Sequence, residues 1–375
     1  MDNVYKRLVV LAIYNRFGKI QDYIYDLAEK NKIICETQII VISGAVDCED
    51  KNKLQKIGDI IIERENKGYD AGAFKEIIQR LSNKNILNKY QELILMNDTF
   101  YGPITSWEKV MNEMYQLDID YWGLIKNGKY IINNKEYKEH IQSFFIAFRN
   151  SIFMNKSFID FWEKMKYADS YLDAVRNYEL AINEYLLRKG FNGVAFSELH
   201  GGEKYTKDGI VSFIPYCYEF LKECGVPIIK RKALLSIDYA FKIPLIFDYI
   251  VQSTTYDIKL IIDDWKKETI KVDNRKFLIG DLYNFCNNYS KIYIWGCGHY
   301  GQCFFNIVKA LGFNEVDYVV TESSEGKVAK VFDEDLISEQ DGIIIGVGAN
   351  LYDEIYNYAI QRLDKNIVFS DFSWE

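Results

Sequence analysis

The sequence predicts an α/β fold: a mostly parallel sheet in a first domain, then a small second α/β domain. Three observations predict it. Short apolar runs rich in β-branched residues recur near 7–14, 38–43, 59–63 and 93–96, apolar on both faces as buried parallel strands are. Segments with helical spacing separate them. Beyond residue 286 a second alternating unit begins, with a glycine-rich turn behind its first strand.

The elements follow in chain order. RLVVLAIY (7–14), QIIVIS (38–43), DIIIE (59–63) and LILM (93–96) read as strands. Residues 19–30 and 72–82 read as helices; Phe74, Ile77, Ile78 and Leu81 fall at i, i+3, i+4 and i+7. Thr105 and Glu108 form a capping-box-like pair before a helix with Val110, Met111, Met114 and Leu117 on one face. YWGLI (121–125) comes next, then a helical or extended stretch to SFFIAF (143–148) and a helix-like FIDFWEKM (158–165). NYELAINEYLLRKG (177–190) reads as a helix ended by Gly190. The later unit reads as KIYIW (291–295), a GCGHYG turn, a helix, VDYVV (316–320), GIIIGVG (342–348), a helix and IVFS (367–370). The domains expected are 1–250 and 286–375, joined by a linker or helical connection over 251–285.

Composition narrows the classes. With 49% hydrophobic residues, 27% charged and 4 Pro, the 375-residue chain is expected to pack rather than remain disordered. A net charge of −8 argues against a nucleic-acid binder. The 7 Cys are scattered, odd in number and without a CxxC pair, so no zinc ribbon or redox motif is indicated. No run reaches the ~20 apolar residues of a spanning helix. The expectation is a cytoplasmic protein with reduced thiols.

In a parallel sheet, ligands bind outside the carboxyl ends of the strands. Those ends read YNRFG (14–18) with Asn15, SGAVD (43–47), ENKGYD (65–70) and NDTFYGP (97–103). Asp98 would stand at the rim, where a carboxylate suits a divalent ion, Mg²⁺ or Mn²⁺, bridging a diphosphate. Its neighbour is Asn97, not a second acid, and capping of local amides is the alternative reading. Asn66 and Asp70 flank Gly68, with Gly72 just beyond: amide and carboxylate for a base or ribose, glycines to keep Cβ atoms clear. Here the alternative is a plain strand–turn–helix joint with Asp70 as N-cap. Glu179, at the start of the 177–190 helix, is either a general base or a charge favoured by the helix dipole. His140 and His200 lie in polar surroundings; His140 is a candidate ligand contact, and His200 a candidate for metal or phosphate or a surface residue.

In order, ENKGYDAGAF, YQELILMNDTFYGPI, DYWGL, HIQSFFIAF, FIDFW, YELAINEYLLRKGF and PIIKRK resemble the rhamnan synthesis protein F family of bacterial glycosyltransferases, over about residues 5–235. The resemblance implies a GT-A-like nucleotide-sugar transferase that extends capsule or other cell-envelope polysaccharide. Its typical donor would be dTDP-rhamnose, and its acceptor an oligosaccharide or lipid-linked glycan, with peripheral contact at the inner face of the membrane. It places Asp98 at the GT-A metal motif and Glu179 as the catalytic base of an inverting reaction. The missing second Asp is a departure and leaves metal use open. Lys230, with Arg231 and Lys232, could then neutralise diphosphate, or form a solvated basic turn.

IYIWGCGHYG fits G-x-G-x-x-G through Gly296, Gly298 and Gly301, after a strand and before a helix. The unit is half a dinucleotide fold and resembles small Rossmann-like modules appended to sugar-processing proteins. Glu322 is the candidate ribose ligand. A nucleotide-sugar or regulatory pocket, or a structural or docking role, is preferred to an NAD site. The alternative function for the chain is therefore a Rossmann-type nucleotide- or NAD-binding sugar-modifying or sensing protein. No Tyr-x-x-x-Lys follows closely, which speaks against a short-chain dehydrogenase. A third reading is a non-catalytic scaffold in polysaccharide assembly.

Overall fold

The computed structural model describes residues 5–15, 18–132, 134–321 and 329–374. The chain divides into two compact units, Met1–Lys230 and Arg231–Glu375.

In the first unit, β1 (Arg7–Tyr14), β2 (Thr37–Ser43), β3 (Ile60–Arg64) and β4 (Glu92–Asn97) are the four strands expected from the apolar runs. With β5 (Tyr121–Gly123), β6 (Phe145–Arg149) and β7 (Gly193–Ala195) they form a seven-stranded sheet in the order β7-β5-β6-β4-β1-β2-β3. Only β6 runs against its neighbours. The sheet is thus mostly parallel, and its central strands are buried on both faces. Helix α1 is Asp22–Asn31, α2 Cys48–Ile57 and α3 Tyr69–Asn83. On α3 the stripe of Phe74, Ile77, Ile78 and Leu81 is buried against Leu8, Val10, Val41, Leu93 and Leu95 of the sheet.

One buried acid fixes the start of the central strands. Glu92, 1% exposed, accepts from Arg7 Nε at 2.7 Å and Trp122 Nε1 at 2.8 Å, and pairs with Arg149 Nη1 at 3.1 Å. These partners come from β1, β5 and β6, so β4 is bound to all three. Two guanidinium groups and an indole N–H offset the desolvation of one carboxylate.

Several local expectations change. Helix α2 is absent from the periodicity reading because its sequence, CEDKNKLQKI, buries only Asp50, Leu54 and Ile57; Asp47 caps it by accepting the Asp50 N–H. Helix α3 begins ahead of the expected 72, because Gly68 (φ 75°) and Tyr69 (φ 58°) turn the chain through left-handed conformations. Asp70 therefore lies inside the first turn and is not the N-cap, which is Gly68. The cap of α4 (Trp107–Tyr115) is Ser106, accepting the Glu108 N–H at 3.1 Å, rather than Thr105. Between 126 and 141 the chain makes two short antiparallel ladders. Glu179 is not at a helix start. An α turn at Tyr171–Ala174 leads into a π-helical segment, Val175–Leu180, and then α5 (Ala181–Arg188).

In the second unit the expected linker, 251–285, is folded. It holds the end of α6 (Lys242–Ser253), α7 (Ile258–Trp265), the Thr269–Val272/Arg275–Leu278 ladder and most of α8 (Ile279–Cys286). The unit's four-stranded sheet is wholly parallel: β8 (Lys291–Trp295), β9 (Val316–Val320), β10 (Lys330–Val331) and β11 (Asp341–Ile345), in the order β10-β9-β8-β11. IVFS (367–370) contributes one bridge, Ile343 to Val368, rather than a strand. Glu322 lies outside the described residues.

The three glycines of GCGHYG differ in what they do. A Cβ on Gly301 would stand 1.9 Å from the Gly296 carbonyl oxygen, and Gly296 has φ 109°. A Cβ on Gly298 would meet nothing within 4 Å. Gly296 and Gly301 are thus demanded by the packing of α9 (His299–Ala310) onto the strand ends, while Gly298 is the helix N-cap with open space beside it. Gly301→Ser should destabilise the chain by about 1–3 kcal/mol through overpacking. Gly298→Ser should be neutral or stabilising, because serine is a preferred N-cap. Urea unfolding of the two variants checks the contrast.

Candidate functional site

Ala12 of β1 stands opposite Asn97, the last residue of β4, and β1 runs on to Tyr14, so both strands deliver their next residues to one rim. Strand β6 starts there, because Phe145 pairs with Met96 at the end of β4. The residues just before β6, His140 to Phe144, therefore reach the same rim, and the Asn97 N–H donates to the Phe144 carbonyl at 3.1 Å. This reversal of one strand gathers side chains far apart in sequence.

Asn97 is the centre of a hydrogen-bonded row. Its Nδ2 donates to Asp70 Oδ2 at 2.6 Å, and its Oδ1 accepts the Thr99 hydroxyl at 2.6 Å. Thr99 Oγ1 in turn accepts from Lys230 Nζ. Beside the row, Asp98 is 6% exposed and its Oδ2 accepts the Tyr14 N–H at 2.9 Å. Lys230 reaches this place on a two-residue ladder that pairs it with Phe100, and its ammonium stands 4.0 Å from the centroid of Phe144. Asn15, at the end of β1, donates to the Ala45 carbonyl; its Oδ1 is buried with no hydrogen-bond partner among the described residues.

Glu179 adds the second acid. The Ser143 N–H and hydroxyl donate to its Oε2 at 2.9 and 2.7 Å, and His140 Nε2 lies 3.5 Å from its Oε1. His140 is buried, with Nδ1 3.2 Å from the Lys138 carbonyl. The π-helical stretch Val175–Leu180 carries Glu179 to this position; across proteins such segments recur at functional sites. The same ring borders a cleft of about 360 Å³ lined by Lys126, Lys129, Lys138 and Asn183.

The two acids are pushed apart. Burial raises the Asp70 carboxyl above the usual range, helped by the Glu179 charge, despite Asn97, the Ala71 N–H and Lys230. Burial also pushes Glu179 upward, but His140 and Ser143 outweigh it and hold the carboxyl below its usual value. The Tyr178 phenol lies well above its ordinary range through burial and the charges of Asp70 and Glu179. The charges of Glu179 and Lys230 thus both act on Asp70, in opposite directions.

Other sequence candidates fall elsewhere or do other work. Asn66 is exposed on its turn. The Cβ space of Gly68 belongs to the Tyr167 ring at 2.6 Å, and that of Gly72 to the Lys67 carbonyl at 2.1 Å. These glycines are required by the protein's own packing. His200 bonds Glu113 at 2.7 Å and packs against Phe196. Arg231 is bound to Asp264 and Glu268. Ser143 and Thr99 were not singled out from the sequence, although each lies inside a quoted motif, HIQSFF or NDTFYGP.

The donor set does not suit a divalent ion of the Asp-x-Asp kind. Such ions take several hard oxygen ligands. Here the motif supplies Asp98 but no second acid, since its neighbour is Asn97, whose amide is engaged at both ends by Asp70 and Thr99. Among the described residues no three His, Cys, Asp or Glu side chains gather as a metal set. No helix among them is long and apolar enough to cross a membrane.

Because the folded Glu179 is held below its unfolded value, its contribution to stability is present at neutral pH and is lost as pH falls through the folded value. Ser143→Ala should cost about 1–3 kcal/mol at pH 7. The difference from wild type should shrink as pH falls from the ordinary Glu range down through the lower folded value of Glu179. Melting temperatures between pH 3 and pH 7 check both points.

The model of the family described as rhamnan synthesis protein F matches residues 38–302. The uncharacterized protein y4gN of Sinorhizobium fredii is 25% identical over 201 residues, covering 53% of this chain and 50% of that protein. Virulence protein VirA of Vibrio anguillarum is 26% identical over 149 residues, covering 37% and 43%. The chain thus spans half or less of the length of these curated relatives. A cytidylyltransferase structure from Leptospira borgpetersenii covers 69% of this chain and 93% of its own, at 11% identity and a TM-score of 0.34, too low to carry an inference. The family match extends over more than half of the 375 residues, and with the quoted motifs inside it the chain belongs to the rhamnan synthesis protein F family.

Proposed function

We propose that the Met1–Lys230 unit is an inverting glycosyltransferase that moves a sugar from a nucleotide-sugar donor to a growing cell-surface glycan. The observation that carries this reading is the convergence of Asp70, Asn97, Thr99 and Lys230 beside Asp98 at one sheet rim, with Glu179 in electrostatic reach of Asp70. Family membership supports dTDP-rhamnose as the first donor to test and a polysaccharide or lipid-linked glycan as acceptor. Asn15 and Asp70 would hold the nucleoside, and the buried Asn15 Oδ1 would gain a donor from it. The acceptor would come through the cleft beside His140. The reaction would take place on the cytoplasmic side of the membrane.

In this reading Glu179 takes the proton of the acceptor hydroxyl. The acceptor oxygen then bonds the anomeric carbon, and the bond from that carbon to the phosphate oxygen breaks on the opposite face, its electron pair leaving with the diphosphate. His140 and Ser143 fix the carboxylate in its ionised form and orientation, at some cost in base strength. Proton transfer would then come late, when bond formation has made the hydroxyl acidic.

The open space over Gly298 favours a second reading, in which the C-terminal unit binds a nucleotide. It predicts NAD(H) or nucleotide binding that Gly298→Val abolishes and Asp98→Ala leaves intact.

Glu179→Gln should lower transfer or slow hydrolysis of the bound nucleotide sugar by about 10²–10⁴-fold while donor binding is retained. Product release from dTDP-rhamnose and other nucleotide sugars, with thermal shift for binding, checks it. A full-length chain that binds no nucleotide sugar contradicts the reading.

A further inference from the structure

We propose that Lys230, rather than a divalent ion, supplies the positive charge that holds the donor's diphosphate and stabilises it as it leaves. The inference rests on the glycosyltransferase reading and assigns one task within it.

The first observation is the engaged donor set. Asn97 stands where a second acid would complete a metal motif; its amide nitrogen is bonded to Asp70 and its oxygen to Thr99. Asp98 accepts the Tyr14 N–H and is 6% exposed. A hard cation takes several oxygen ligands, and beside Asp98 the motif position holds Asn97, whose amide is already held by Asp70 and Thr99, in place of a second carboxylate.

The second observation is how Lys230 is built in. It is 5% exposed, an uncommon state for lysine. The Ile229–Lys230 segment is fixed against Phe100–Tyr101 by an antiparallel ladder, and Nζ donates to Thr99, the residue next to Asp98. Among the described residues, the rings of Phe144, Phe213 and Phe100 lie around the ammonium, with centroids at 4.0, 5.3 and 6.0 Å. Aromatic faces stabilise a cation without cancelling its charge, and they exclude the water that would screen it. Arg231, the next residue in PIIKRK, is committed to Asp264 and Glu268. Lys230 is therefore a cation held at the rim by backbone, hydroxyl and rings together.

The chemistry needs such a charge at one moment. When the bond from the anomeric carbon to the phosphate oxygen breaks, its electron pair stays on the diphosphate, which gains a negative charge. A cation already fixed beside that oxygen stabilises the charge without reorganising. The acceptor's proton goes to Glu179, so charge and atoms balance without a further reactant.

The experiment titrates dTDP, UDP and GDP into the full-length chain by calorimetry, once in excess EDTA and once with Mn²⁺. Wild type, Lys230→Met and Lys230→Arg are compared. The expected result is that at least one nucleoside diphosphate binds in EDTA and that Mn²⁺ changes its affinity little. Lys230→Met should weaken binding about 10- to 100-fold, the loss of one charge-assisted hydrogen bond, and Lys230→Arg should retain most of it. Methionine suits the Phe-lined site, and melting temperatures show whether that variant folds. If it does not, Thr99→Val serves, since it removes the hydroxyl anchor of the ammonium and should weaken binding in the same direction. Binding that requires Mn²⁺ and survives Lys230→Met overturns the inference and leaves the glycosyltransferase reading standing. No nucleoside diphosphate bound under either condition overturns both.

Discussion

The hydrogen bond from Asn97 Nδ2 to Asp70 Oδ2, 2.6 Å long, is the contact on which the rest of the site depends. It joins the end of the central strand β4 to the first turn of α3, two places that the chain reaches by unrelated routes. Asn97 can make this bond because it ends β4 at the rim, opposite Ala12 of β1, and Asp70 because a left-handed pair, Gly68 and Tyr69, turns the chain before the helix. Through its other oxygen Asn97 holds Thr99, and through Thr99 the row reaches Lys230. A partly buried acid, an amide, a hydroxyl and an ammonium are thereby held in one line beside Asp98.

The sheet makes the line possible. Parallel strands deliver their carboxyl ends to one rim, and the single antiparallel strand β6 brings His140, Ser143 and Phe144 back to it. At the opposite end the buried Glu92 binds β4 to β1, β5 and β6, so the register that levels Ala12 with Asn97 is fixed from below. Disturbing that ion cluster would move the rim as well as weaken the core. The fold and the geometry of the rim are thus coupled through register.

Much of the fold was legible in the sequence because its signals are local. Runs apolar on both faces gave the four central strands, and a period of 3.6 gave the buried stripe of α3. Helix α2 was not legible, since it carries charges on most of its surface and buries little apolar area. Of the site, Asp70, Asn97, Asp98, His140, Glu179 and Lys230 were named from strand ends and motifs. Their partners were not. That His140 and Ser143 hold Glu179 depends on a π-helical segment and a strand reversal that no periodicity reports. Lys230 and Arg231 are adjacent and both cationic, yet one is bonded at the rim and the other to two acids. Only tertiary structure separates them. The glycines of the 65–74 turn were read as clearance for a ligand, whereas their Cβ space is filled by Tyr167 and the Lys67 carbonyl.

A crystal structure of the full-length chain with a bound nucleoside diphosphate tests the central claim most directly. The account predicts phosphate oxygens within hydrogen-bonding distance of Lys230 Nζ and the nucleoside against Asn15 and Asp70. It also predicts the Glu179 carboxylate open to the opposite side of the reacting carbon. Nucleotide found instead at the Gly296–Gly301 turn, with the rim around Asn97 unchanged and empty, would contradict it.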